Sequence, residues 1–272
     1  MTIAAGFCCS DGVVLCADTQ YTVPETMKYP DSKLRMAPEL RCLPFFAFCG
    51  DMDFQKQCIA SFTSALMEAE ENGTLLRSAL ERAALEMHRI YYDTYSDPLE
   101  KLSAAMFVSV LIGEKRKLYK VWGPKVSEVD QFESMGSGSY LARALADSFW
   151  EPKNTMYRTA LAAVYILSDV KKYVDGCGGE SQIACLGHDG SWQYFSPDNF
   201  ERTRPIATIE SHYQIWKRKI GSLLLDSQNL QESQESFETK ATGLRDALVE
   251  GRKRDFTILR LTEKRLLKQE NE

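Results

Sequence analysis

Asp11-Gly12-Val13-Val14-Leu15-Cys16-Ala17-Asp18 is the stretch that organises the chain. Val13, Val14 and Leu15 form a compact apolar run, and the turn Ser10-Asp11-Gly12 precedes it. Before that turn stands a second short apolar run, Ile3-Ala4-Ala5-Gly6-Phe7-Cys8-Cys9. The pair reads as two short strands, over 2–9 and 12–18. Thr2 stands directly after Met1 at the head of the first. If Met1 is removed, Thr2 becomes a free N-terminal threonine, carrying a hydroxyl and an α-amine on one residue. That is a nucleophile with its own base, one known solution to amide hydrolysis.

Beyond Asp18 the chain alternates between strand runs and helix pairs. A polar loop with Pro24 and Pro30 spans Thr19 to Ser32,. Lys33-Leu34-Arg35-Met36 alternates as a strand, and Leu43 to Cys49 is an apolar run ended by Gly50. Asp51 is placed to cap a helix in which Phe54, Cys58, Phe62, Ala65 and Leu66 recur at helical spacing,. A second helix starts at Gly73-Thr74, with Leu76, Leu80, Ala83, Met87 and Ile90 on one face,. Ala104 to Ile112 and Leu118 to Trp122 read as a hairpin. Two more helices follow, after Met135-Gly136-Ser137-Gly138 and from about Thr155 to Val174. Strands return at Ser181–Leu186 and Trp192–Phe195. Strands in runs and helices in pairs predict stacked layers, with helices flanking a sheet sandwich.

From about residue 200 the character changes. Ile209, Tyr213, Trp216, Ile220 and Leu223 fit an amphipathic helix, 228–236 is a Gln/Ser/Glu-rich linker, and Ala241 to Glu250 is a weaker helix. Phe256 to Leu261 reads as a strand. The expected organisation is a domain over 2–200 with a mainly helical extension over 201–272.

Composition bounds the function. Of 272 residues, 44% are hydrophobic, enough for a substantial core, and the net charge is −5,. No basic block stands out before the last twenty residues, which argues against nucleic acid as the main partner. No apolar run reaches the length of a membrane span, and the N-terminus lacks the form of a signal peptide. The eight cysteines show no CxxC spacing, and most lie in apolar runs, as reduced core residues of a cytosolic protein do,. Of three histidines, two lie in helical or polar contexts with no neighbouring acid motif, so a histidine triad or a multi-histidine metal site is not expected, and no cofactor is implied,.

Several elements occur together in order: Thr2, the strand ending Ala17-Asp18, Ser32-Lys33-Leu34, Cys49-Gly50-Asp51 before a helix, Gly136-Ser137-Gly138 before a helix, and Asp175 with Gly178-Gly179 before a strand. In this the chain resembles the proteasome β-subunit group of N-terminal nucleophile (Ntn) hydrolases, which includes the bacterial heat-shock-locus V peptidase. The resemblance covers residues 2 to about 200. It implies an α+β fold, a four-layer αββα sandwich, in a homo-oligomeric ring that encloses its sites and hydrolyses peptide bonds of unfolded polypeptides in the cytoplasm, with an ATPase unfoldase or regulatory cap as a partner. Two other readings stay open: a catalytically silent structural or binding homologue, and an Ntn amidase acting on a small molecule.

The resemblance also assigns residues. Thr2 is the nucleophile, with its α-amine as base. Free α-amines have pKa values near ~7.7–8.0, so a useful neutral fraction exists at physiological pH. Lys33 favours the developing alkoxide, and Asp18 pairs with it. Ser137 holds the amine, with Asp175 beside it. The backbone N–H of Ala47 forms the oxyanion site, and Tyr21, Phe45 and Cys49 line the substrate pocket, the large Phe45 ring suggesting small side chains. The sequence departs from the family pattern where Gly178 replaces a serine and Ala47 a glycine, and the loop before Lys33 is about one residue shorter.

Overall fold

The structure, a computed structural model, describes residues 2–23, 27–94, 105–195, 200–226, 239, 241–255 and 257. Met1, the 228–236 linker and, apart from Thr257, the expected strand over 256–261 lie outside them. The chain divides into two compact units, Met1–Asn199 and Phe200–Glu272.

In the first unit, two five-stranded sheets form the centre. One contains β1 (Ala4–Cys8), β2 (Gly12–Asp18), β10 (Phe132–Met135), β11 (Ser181–Gly187) and β12 (Trp192–Phe195), in the order β10-β1-β2-β11-β12. The other contains β5 (Leu34–Met36), β6 (Phe45–Cys49), β7 (Ala105–Ile112), β8 (Lys115–Trp122) and β9 (Lys125–Glu128), in sequence order. All ladders are antiparallel. The period of two along β6 divides its side chains between two cores. Phe45, Ala47 and Cys49 meet Val13, Leu15 and Ala17 between the sheets. Phe46 and Phe48 turn the other way. There they pack with Cys58, Phe62 and Leu66 of α1 (Met52–Asn72) and Leu80 and Met87 of α2 (Leu76–Thr94). Each such large side chain, buried fully, contributes roughly 1.5–3 kcal/mol. On the far side, α3 (Ser139–Phe149) and α4 (Met156–Tyr173) cover the first sheet, with Ala142, Ala146, Ala163 and Leu167 buried. The layer order is αββα.

Asp51 caps α1 as expected, whereas Gly73, expected to open the second helix, closes the first, and α2 starts at Leu76. Asp51 accepts from Phe54 N–H (2.8 Å), and Gly73 ends α1 in a left-handed conformation,. Other expectations change. The polar loop before Lys33 holds a ribbon, β3 (Gln20–Val23) with β4 (Met27–Pro30), in which Tyr21 and Tyr29 are cross-strand partners with stacked rings,. The hairpin turn expected over 113–117 shortens to two residues, because β8 begins at Lys115, paired with Ile112, and the charged Lys115-Arg116-Lys117 run disguises the start of the strand. Strands β9 and β10, short and rich in polar residues, were not expected from the pattern.

In the second unit, α5 (Phe200–Asp226) and a helix over 241–255 lie against each other. His212 Nδ1 is 2.8 Å from the Asp255 carboxylate, and the Trp216 indole covers Gly251 so closely that a Cβ there would lie 2.9 Å from its Nε1.

Candidate active site

Strand register gathers the site at one end of the first sheet. Ala4 faces Ala17 on one side and Met135 on the other, so Thr2, Asp18 and the Gly136-Ser137-Gly138 turn all emerge together. Asp18 N–H donates to Ile3 O (3.2 Å), and Gly138 N–H donates to Thr2 O (3.2 Å). Gly136 is needed for this close approach: φ is 90°, and a Cβ would stand 2.3 Å from Thr2 O,. Lys33 arrives from the other sheet, one residue before β5.

The Thr2 hydroxyl lies between two opposite charges. It donates to Asp18 Oδ1 (2.7 Å) and accepts from Lys33 Nζ. The ammonium also donates to Asp18 Oδ1 and to Gln20 O, both at 2.5 Å, which uses all three of its N–H bonds,. The Tyr21 ring closes its remaining side, 4.9 Å from Nζ,. Asp18 and Lys33 are 0% and 1% exposed, so the pair is fully desolvated and depends on these bonds,. Asp18 further accepts from Ile3 N–H (3.1 Å) and, at Oδ2, from Gly178 N–H (2.9 Å).

Ser137 does not act as a helix cap. The α3 cap is Gly138, without a side-chain bond. The Ser137 hydroxyl instead accepts from Thr2 N–H (3.1 Å) and reaches Thr2 O (3.3 Å). With Met1 in place that nitrogen is the amide joining Met1 to Thr2. It stands in for the amine that removal of Met1 creates.

Three expectations do not fit this geometry. Asp175 is exposed on the turn after α4, and no hydrogen bond joins it to Thr2 or Ser137 among the described residues. That turn presents Cys177 to the site instead, 3.7 Å from Ser137 Oγ, with its thiol pushed up to about 11 by burial. Ala47 cannot offer its N–H as an oxyanion donor. Phe48 N–H donates to Lys33 O, and the alternation along β6 turns the Ala47 N–H to the other side, toward its partner Phe107 in β7,. The next N–H on the Lys33 side belongs to Gly50, just past the strand. Phe45 is completely buried between the sheets beside Trp192 and Tyr194, so it lines no pocket.

Gly178 is accounted for by packing. A Cβ at this position would lie 2.4 Å from the Gln20 side-chain amide oxygen. The Gly178 main chain still contributes to the site, through the N–H it donates to Asp18 Oδ2 (2.9 Å).

Of the remaining expected pocket residues, Cys49 lines a narrow cavity of ≈ 40 Å³ with Phe48, Gln55, Cys58 and Met106, room for a few waters or one small side chain,. Tyr21 adjoins it, its hydroxyl bonded to Gln55 Oε1. Gln55, buried on α1, was missed in the sequence, where it looks like one more polar residue of an amphipathic helix. Burial pushes the Cys49 thiol up to about 12, so it is a packing group rather than a nucleophile,. Among the described residues, no group of three His, Cys, Asp or Glu side chains is arranged to hold a metal, and no helix is long and apolar enough to cross a membrane.

Comparison with known proteins places the chain in a family. The proteasome subunit family model covers residues 2–184, which include Thr2, Asp18, Lys33, Ser137 and the Gly178 turn. The chain belongs to the proteasome subunit family. Comparison with curated proteins finds no match. Among solved structures, Anbu, the ancestral beta-subunit from Yersinia bercovieri, superposes with a TM-score of 0.68 at 10% identity, over 86% of this chain and 100% of that one. A (Gly-1) mutant of Anbu from Hyphomicrobium sp. strain MC1 gives 0.66 at 13% identity, over 86% and 99%. At these identities the likeness is one of fold. The proteasome-family chain is thus an α+β protein of the proteasome-like Ntn type, and the role of its site rests on its own residues.

Proposed function

We propose that the chain is an N-terminal threonine peptidase, acting in the cytoplasm in a closed ring of its own copies and receiving unfolded polypeptide, from an ATPase unfoldase or past a regulatory cap. The observation that carries the chemistry is the Thr2 hydroxyl held between the Lys33 ammonium and the Asp18 carboxylate, with Thr2 nitrogen on Ser137. Removal of Met1 frees the amine. That amine takes the proton from Oγ as Oγ attacks the scissile carbonyl carbon. Lys33 offsets the negative charge developing on Oγ, and the Gly50 N–H receives the carbonyl oxygen as it becomes anionic. The amine then passes its proton to the leaving nitrogen as the C–N bond breaks. An ester on Oγ remains, which water hydrolyses along the same proton path. In this scheme the base is the amine, and Lys33 serves as a hydrogen-bond donor to Oγ,.

Tyr21, Cys49, Phe48 and Gln55 are the substrate-side residues. Eight cysteines lying mostly in apolar runs fit a reducing compartment,.

The test uses purified protein, unfolded casein and short fluorogenic peptides, with Thr2→Ala as control. Peptide cleavage that vanishes in Thr2→Ala is the expected result, and cleavage unchanged in Thr2→Ala would refute the mechanism. Turnover of small amides alone would replace the peptidase by an amidase. Light scattering reports the ring, and a monomer of 30.8 kDa would contradict it.

A further inference from the structure

Lys33 is positioned by a side chain from the opposite sheet. Its carbonyl accepts from Phe48 N–H, but its own N–H leaves the ladder and donates to Gln182 Oε1 at 2.8 Å. Gln182 is 0% exposed on β11, where it pairs with Ala17 and follows Ser181, the partner of Asp18. Its amide nitrogen donates to Ser32 Oγ (2.7 Å) and Tyr194 Oη (3.2 Å). Both hydroxyls point onward to Leu34 O, at 2.7 and 2.8 Å. The orientation of the amide is therefore fixed by chemistry. Oxygen faces the N–H donor and nitrogen faces the two hydroxyl oxygens, and a flip would set donor against donor at Lys33.

This arrangement does more than fill a core. Ser32 and Lys33 lead directly into β5 of one sheet, which begins at Leu34, and Gln182 and Tyr194 belong to the other. The sheet that carries Asp18 thus also holds the Lys33 N–H, through Gln182, and the Leu34 carbonyl one residue on, through Tyr194. An amide with its acceptor and both donors used, in a site without water access, holds its partners in one geometry. A hydrophobic residue of the same size would fill the volume and leave Lys33 N–H and the two hydroxyls to find new partners.

We propose that Gln182 is a positioning residue for Lys33, with Ser32 and Tyr194 as its supports, and that it sets the distance of the ammonium from Thr2 Oγ. This inference rests on the reading of Lys33 as the group that polarises Thr2.

The test compares wild type with Gln182→Leu and Tyr194→Phe in two assays. One is steady-state peptide cleavage. The other is the rate at which a β-lactone acylates Oγ of Thr2, followed by intact mass on protein shown to be folded at the assay temperature. Gln182→Leu is expected to lower kcat by ~30-fold or more with KM within about twofold, since displacement of a catalytic group by an ångström costs on the order of a hundredfold. Acylation slows in parallel, and Tyr194→Phe falls between the two. A packing role alone would lower the melting temperature and leave kcat and acylation per folded molecule unchanged, which would overturn the proposal, as would a loss confined to KM. If Gln182→Leu does not fold, Tyr194→Phe and Ser32→Ala decide by the same criteria. A wild-type chain that takes no label removes the hydrolase reading and this inference with it. A labelled wild type with an equally labelled variant removes this inference alone.

Discussion

Asp18→Asn probes the buried charge pair while preserving shape. Asp18 and Lys33 are 2.5 Å apart and 0% and 1% exposed. Asparagine leaves the ammonium buried among neutral acceptors. It also turns an NH₂ either toward the Thr2–Lys33 side or toward the Gly178 N–H, both of which offer donors to the native carboxylate. Breaking a pair so buried costs about 3–5 kcal/mol. Lys33→Met leaves a buried anion as well, but that anion keeps the Ile3 and Gly178 N–H groups and the Thr2 hydroxyl, so the cost is nearer ~2–3 kcal/mol,. The double variant buries no charge. It should therefore fall short of the sum of the singles by about 2–3 kcal/mol, the coupling expected of groups in direct contact. Urea unfolding of the four proteins, followed by circular dichroism, reads these values. Additivity within ~0.5 kcal/mol, or an Asp18→Asn variant as stable as wild type, would refute the reasoning.

Alkaline stability follows from the thiols. Burial raises Cys16, Cys49 and Cys58 from 9.0 to about 12, and Cys8 and Cys177 to about 11. The unfolded chain ionises these groups first, so above pH 9 it holds fewer protons than the folded chain, and stability falls until the folded values are passed. The loss reaches at most ~1.4 kcal/mol per pH unit for each such thiol, and below pH 8 this source contributes nothing. Urea midpoints constant from pH 8 to 11 would contradict it. Gly136→Ala sets a methyl 2.3 Å from Thr2 O at φ 90°. It should displace Thr2 and reduce peptide cleavage by at least about tenfold, ~1.4 kcal/mol in the barrier. The same substitution at Gly113, also at positive φ but with open space around it, should leave cleavage intact. Equal cleavage by both variants would show that the Gly136 turn does not position the nucleophile.

Much of the fold is legible because its strands and helices carry clear periods. Val13 to Ala17 and Phe45 to Cys49 declare themselves strands as apolar runs, and the Cys58-Phe62-Leu66 stripe declares a helix by its spacing. The β3–β4 ribbon was not legible, because its pairing depends on tyrosines that meet only across the strands. The pocket assignment at Phe45 and the oxyanion assignment at Ala47 failed for one reason. A strand buried on both faces gives no sign in its sequence of which residues face the second sheet, or which N–H groups the ladder uses. The centre of the site was easier. Thr2, Asp18 and Lys33 are assigned by the family resemblance, whose motifs mark the ends of the strands that bring them together. Gln182 and Gln55 were hidden, since a glutamine in a strand or helix declares nothing until its partners are seen.

The central claim is that Thr2, freed of Met1, is a nucleophile. Intact mass of the native protein, before and after exposure to a β-lactone, tests it most directly. The account predicts a chain lacking Met1 that gains one acyl group at Thr2, and no gain in Thr2→Ala. A chain that keeps Met1, or one labelled equally without the Thr2 hydroxyl, would contradict it.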